Sequence, residues 1–256
     1  IVSVFNMILS IPFFFLIDYS TITAAGLLVL FIKSILGSLA FLCVMLAIKN
    51  LEISGALPLM VLTPGLVAFF AFLLIGESLG NYEVVGMILL LIGTYILEMK
   101  TGQKVLAPFT VFYKSKFHHY IVAALLLFTT TSILDKVLLN QFKVTPYAFM
   151  GFQQLFFAII FLIIVIQKKE KPLQMFRKFD KSIILWVVLI AFLTIGYRYT
   201  QIEAIKIAPV ALVLSVKRIS VFIAAVVGGK IFKEHDLLKK AVATAIMVAG
   251  ALLIFE

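Results

Sequence analysis

The chain has 256 residues, 63% of them hydrophobic and only 13% charged, with a mean hydropathy of +1.18 and a net charge of +10. Soluble domains carry about 25% charged residues, so this composition excludes a wholly soluble protein: too little polar surface exists to cover the apolar remainder. The single cysteine, Cys43, lies in an apolar run and reads as a packing residue; it excludes an internal disulfide framework and any cysteine-based metal site.

A helix needs about 20 apolar residues to cross a bilayer. In chain order, spans are predicted at 1–17, 24–46, 54–75, 83–97, 119–140, 146–166, 183–203, 209–231 and 241–255. The first lacks the basic leader and small-residue cleavage site of a signal peptide. Because residue 1 is Ile rather than Met, a preceding segment is expected. The runs are too long for strands and do not alternate. In lipid, the helix is the open structure that satisfies its own backbone. The fold class is therefore an all-α polytopic membrane bundle. Within span 54–75, Pro58 and Pro64 free backbone carbonyls and are predicted to form a hinge or a polar patch.

Two stretches repeat at an offset of 157 positions. Ala47, Ile48 and Lys49 recur as Ala204, Ile205 and Lys206, after which Glu77 aligns with Glu234 and Gly93 with Gly250 without a gap. Five predicted spans separate Glu77 from Glu234. An odd number places the copies upside down relative to each other, as in inverted-repeat carriers. Residues 1–97 form one repeat with four visible helices and 119–256 a second with five, joined by a linker over 98–118. Five plus five is the simplest plan, so a first helix is expected to be missing. Loops 47–53, 98–118, 167–182 and 232–240 hold fourteen Lys and Arg, whereas the opposite loops hold Lys143 and Lys206 alone. The positive-inside rule makes the first face cytoplasmic. The basic balance is thus a topology signal, and nucleic acid is not an expected partner.

Several features carry a family resemblance. Ala56, Leu57 and Pro58, then Pro64, then Gly76 and Glu77, are followed by Gly86 and by Gly93, Thr94 and Tyr95. The second copy has Ser215 through Ser220, Gly228 and Gly229, Phe232 through Glu234, and Gly250, while Ile133 through Lys136 sit on the first helix of that repeat. In this order, they resemble the EamA-like members of the drug/metabolite transporter superfamily. The resemblance implies ten helices in two inverted repeats, around a cavity lined mainly by the third, fourth, eighth and ninth helices. It also implies both chain ends on the cytoplasmic side. The loop charges place them on the other side, so absolute orientation stays open.

Ionisable groups within spans cost about 2.5–3.5 kcal/mol each on insertion scales and face a cavity or a partner. Lys33, Lys136, Arg198, Lys217, Arg218 and Lys230 are such cations, with Asp135 the acid among them. Lys230 sits at a span end and snorkels; the others occupy one half of the membrane. Arg198 and Lys136 either line a cavity or snorkel to the headgroups. Asp135 either pairs structurally with Lys136 or Arg198 or binds a coupling proton. Lys217 and Arg218 point about 100° apart, so one of them faces inward. Thr194, Tyr197, Arg198 and Gln201 share a helical face, and Gln153 and Gln154 sit mid-span. Together with Thr63, the candidate solute-binding set is Lys33, Thr63, Asp135, Gln153, Gln154, Tyr197, Arg198, Gln201, Lys217 and Arg218. Glu77 and Glu234 lie at the membrane boundary, where hydrogen bonding to a helix end is favoured over proton coupling; with Pro58 and Pro64 they form the structural set.

A cationic cavity suits an anionic or zwitterionic metabolite such as an amino acid or organic acid, because Arg offers a planar fork to carboxylate or phosphate. Membrane lipids are the other expected partner, with protons or a counter-solute as coupling candidates. The rival is a membrane-embedded enzyme. His118 and His119 are neighbours that do not share a helix face, His235 falls in a loop, and no HExxH or GxSxG pattern is present. No metal or cofactor is expected, and no P-loop suggests ATP use. A structural or receptor-like protein explains the spans but not the inverted duplication. The reading is a secondary transporter working by alternating access, in a prokaryotic inner membrane.

Overall fold

The computed structural model describes residues 2–50, 62–99, 118–167, 181–217 and 237–254. Nine α-helices occupy them: α1 (Val2–Phe15), α2 (Ala24–Asn50), α3 (Thr63–Ile75), α4 (Asn81–Glu98), α5 (His118–Asn140), α6 (Pro146–Gln167), α7 (Lys181–Ile207), α8 (Val210–Lys217) and α9 (Leu237–Ile254). A single 3₁₀ turn covers Tyr19–Thr21, and no strand occurs among the described residues. Among the described residues, four helical stretches are long and apolar enough to span a membrane: Ala24–Ala47, His119–Asn140, Pro146–Gln167 and Ser182–Ile207. The protein is an all-α membrane helix bundle.

Local chemistry sets the helix ends. Thr23 Oγ1 accepts the Gly26 N–H (3.1 Å) at the start of α2, and Thr145 Oγ1 accepts the Ala148 N–H (3.3 Å) at the start of α6, whose first residue is Pro146. The Glu83 carboxylate reaches back to the Gly80 N–H (2.6 Å) ahead of α4. Gly76 closes α3 in the left-handed region at φ 67°, where its N–H and that of Glu77 converge on the Ala71 carbonyl. Helices α2 and α7 run past the predicted spans, to Asn50 and Ile207. The polar residues at their ends mark where lipid stops, not where backbone hydrogen bonding must stop. Pro64 lies in the first turn of α3, after a turn at Leu62. There it removes no hydrogen bond within α3. Pro58 is outside the described residues.

The chain divides into two compact units, each drawing on both sequence halves: Ile1–Ser38 with Leu134–Ile207, and Leu39–Ile133 with Ala208–Glu256. In the first, α1 packs on α6 and α7. Phe14 meets Phe152 edge to face at 5.3 Å and lies over Gly151, while Phe13 stacks on Tyr199 at 5.5 Å. Gly151 admits the Phe14 ring because a Cβ there would come within 3.1 Å of it. α7 turns Ile183, Leu185, Trp186, Leu189, Phe192 and Leu193 outward, an apolar face that suits acyl chains.

In the second unit, α4 packs on α9 and α3 on α8. Gly93 lies against the Ala243 carbonyl and Met247; Gly250 lies against the Gly86 carbonyl and Leu90. At the offset of 157, Gly93 corresponds to Gly250, Gly86 to Ala243 and Leu90 to Met247. The contacts are therefore reciprocal. Residues later in α4 meet residues earlier in α9, so the two equivalent helices run antiparallel about a local two-fold.

Candidate functional site

Within the first unit, α1, α5 and α7 finish and α2 and α6 begin at one end: residues 16–23 link α1 to α2, residues 141–145 link α5 to α6, and Lys136 Nζ donates to the Ile205 carbonyl at the close of α7 (2.9 Å). Lys33 lies about 14 Å along α2 from that end, and Arg198 about 14 Å along α7. Helical side chains lean toward their own N-terminus. Arg198 and Asp135, on helices that finish at this end, therefore lean away from it. Lys33 and Gln153, on helices that begin there, lean toward it, and the four side chains meet.

Asp135 bridges the two cations. Its Oδ1 stands 2.8 Å from Lys33 Nζ, and its Oδ2 accepts from Arg198 Nη2 at 2.8 Å. Arg198 Nε donates to Gln153 Oε1 at 3.3 Å. Phe149, one turn before Gln153, presents its ring to Lys33 Nζ at 4.8 Å from the centroid and to the Arg198 guanidinium at 5.8 Å, a distance at which cation–π attraction acts. The Lys33 and Asp135 side chains are 3% and 4% exposed, that of Arg198 17%. Arg198 is thus the accessible member, and its Nη1 donors have no acceptor among the described residues.

The structure brings together Lys33, Asp135, Gln153 and Arg198. Gln154 and Gln201 are also buried and make no side-chain hydrogen bond among the described residues, which leaves their amides available. Gln201 follows Arg198 by three residues and shares its face. Tyr197 does not join them: it is 42% exposed, because it lies about 100° around α7 from Arg198. Lys136 does not pair with Asp135. It turns to the last carbonyls of α7, where a cation is favoured at a helix C-terminus. Thr63 is buried and Lys217 exposed, both in the second unit. Arg218, Lys230 and Glu234 are outside the described residues.

Glu77 sits at a helix junction. Its Oε2 accepts the N–H of Val210, the first residue of α8, at 3.0 Å. The left-handed Gly76 turns the chain so that Glu77 can reach that orphan donor.

One member of the cluster, and one other buried polar group, escaped the sequence reading. Phe149 shares a face with Gln153 at i, i+4 spacing, a signal that would have found it. Asn6 Oδ1 in α1 is buried with no partner among the described residues; nothing in its flanking sequence marks it. Among the described residues, no three His, Cys, Asp or Glu side chains converge as a metal site would need.

The sequence profile of the EamA-like transporter family matches residues 1–99 and 116–256. No curated protein sequence matches the chain. Among solved structures, one titled only "Crystal structure of protein" superposes with a TM-score of 0.70 at 19% identity, covering 99% of this chain and 84% of that one; the likeness is one of fold. The family match extends over nearly the whole chain, so the protein belongs to the EamA-like transporter family and is an integral multi-pass membrane transporter of the drug/metabolite type.

Proposed function

We propose that the protein is a secondary carrier for a small organic metabolite, anionic or zwitterionic, that works by alternating access. The observation that supports this is the buried Lys33–Asp135–Arg198 cluster: two cations share one carboxylate, and the guanidinium keeps an unused donor edge. A buried ion cluster with unfilled hydrogen-bonding capacity is costly unless a ligand completes it, and Arg offers a carboxylate or phosphate a planar fork. Gln153, Gln154 and Gln201 supply amides for the rest of the solute. Thr63, Lys217 and Arg218 are further proposed contacts. We take the two inverted repeats as 1–97 and 119–256, a division supported by the reciprocal contact of α4 and α9. The expected residence is a prokaryotic inner membrane. Uptake into proteoliposomes, against a panel of amino acids, organic acids, sugar phosphates and nucleotide sugars, tests the reading. A solute should be taken up by the native chain and lost on Arg198→Met. Flux that survives both Arg198→Met and Lys33→Ala would remove this cluster from the binding site.

A further inference from the structure

The charges in the buried cluster bear on which solute is carried and in what mode. With both bases protonated, Lys33 and Arg198 face one carboxylate and the empty cluster holds one uncancelled positive charge. Among the described residues, its other neighbours cancel none of it. α6 contributes Phe149 and Gln153, both neutral. On α5, Lys136 is directed to the Ile205 carbonyl. On α7, the nearest carboxylate and ammonium, Glu203 and Lys206, lie in the final turns, and the adjacent Tyr197 and Tyr199 are phenols. At 3% and 4% exposure for Lys33 and Asp135, water does little to screen the excess.

We infer that the carrier takes a solute bearing one net negative charge and exchanges one such anion for another, in preference to releasing it in a one-way cycle. This rests on the carrier reading above. A monoanion seated on the unused edge of Arg198 brings the cluster to neutrality with no proton gained or lost. A zwitterion leaves the positive charge in place, and a dianion overshoots to a negative one. Alternating access moves the dry barrier from one side of the cluster to the other, which is electrically equivalent to carrying its net charge across the membrane. The loaded, neutral cluster crosses readily. The empty, charged cluster crosses slowly, so return with a second anion is the faster route.

The test uses the full chain in proteoliposomes at neutral pH with three-carbon probes of graded charge: lactate, alanine and malonate, together with their phenyl-bearing counterparts. Monoanion counterflow should exceed net efflux into anion-free medium by about tenfold or more, and only net efflux should respond to an imposed voltage. Asp135→Asn raises the uncancelled charge to two and should shift preference from monoanion to dianion by about tenfold or more. The double variant Lys33→Met/Asp135→Asn leaves Arg198 alone, with one positive charge, and should again favour the monoanion; it decides the matter if Asp135→Asn does not fold. Preference of the native chain for the zwitterion or the dianion would overturn the inference, as would net efflux as fast as counterflow or a double variant that favours the dianion. Absence of flux for every probe in the native chain would overturn the carrier reading itself, and the inference with it.

Discussion

Gly93 of α4 and Gly250 of α9 occupy equivalent places in the two repeats, and each rests on the backbone of the other's helix. Small residues allow such close approach in membranes, where packing replaces the hydrophobic effect as the force between helices. A Cβ at Gly250 would stand 2.6 Å from the Gly86 carbonyl and 2.9 Å from Leu90 N, both fixed backbone atoms. At Gly93 it would meet the flexible Met247 side chain and, at 2.9 Å, the Ala243 carbonyl. Gly250→Ala is expected to destabilise by about 1–3 kcal/mol, the usual range for overpacking, and Gly93→Ala by less, because Met247 can move. Thermal unfolding in detergent orders the two. Equal melting temperatures for both variants and the native chain would show that the helices are not in this contact.

The buried cluster makes a prediction about order of damage. Asp135→Ala leaves Lys33 and Arg198 facing each other with no counterion, whereas Lys33→Met leaves Asp135 and Arg198 as a matched pair. Removing one partner from a buried ion pair costs about 3–5 kcal/mol. Asp135→Ala should reach that range and Lys33→Met fall below it. The melting temperatures of both variants in one detergent provide the comparison.

The same residues show how far sequence reasoning reaches. The nine helices of the described residues were legible, since apolar runs of span length have one solution in lipid. Lys33, Asp135 and Arg198 stood out for a related reason: charge in such runs demands a partner. The partner was legible in part: Arg198 was one of the two partners the sequence offered Asp135, and Lys33 was not. Asp135 and Lys136 are adjacent, and adjacency suggested a pair, but neighbours on a helix diverge by about 100°, and the structure sends them to different elements. Asp135 meets residues distant in the chain on α2 and α7, and Lys136 meets a backbone carbonyl, which carries no sequence signal. The i, i+3, i+4, i+7 stripe that carries Tyr197 and Arg198 is not one surface. The stripe is wide enough for Arg198 to be inside while Tyr197 is exposed.

Lys136 lies about 6 Å and Arg198 about 14 Å from the ends of their helices, and the two have different tasks. Lys136 donates to the Ile205 carbonyl, a contact of helix-terminus type worth about 0.3–1 kcal/mol. Lys136→Met should lose at least that contact, while uptake of the solute should persist with a similar apparent affinity. Arg198→Met should abolish saturable uptake. Paired uptake curves at matched protein density separate the two roles.

Glu77 is a further acid that invites a proton-coupling role, and its geometry supports a different one. Its Oε2 accepts the Val210 N–H at 3.0 Å, and a glutamine oxygen can accept the same bond. Glu77→Gln should keep most of the stability, while Glu77→Ala should lose about 0.5–2 kcal/mol, the range for losing a helix cap. Gly76→Ala acts on the same junction from the backbone. It places a Cβ in the left-handed region at φ 67°, at a cost of about 1–2 kcal/mol, and turns Glu77 away from α8. The decisive measurement is the pH profile of uptake. A capping carboxylate predicts that Glu77→Gln leaves the profile in place, because the bond it makes does not require a titrating group. A coupling carboxylate predicts that the profile flattens and accumulation against a gradient ceases. Retained accumulation in Glu77→Gln, alongside lost stability in Glu77→Ala, would identify Glu77 as the residue that holds the start of α8.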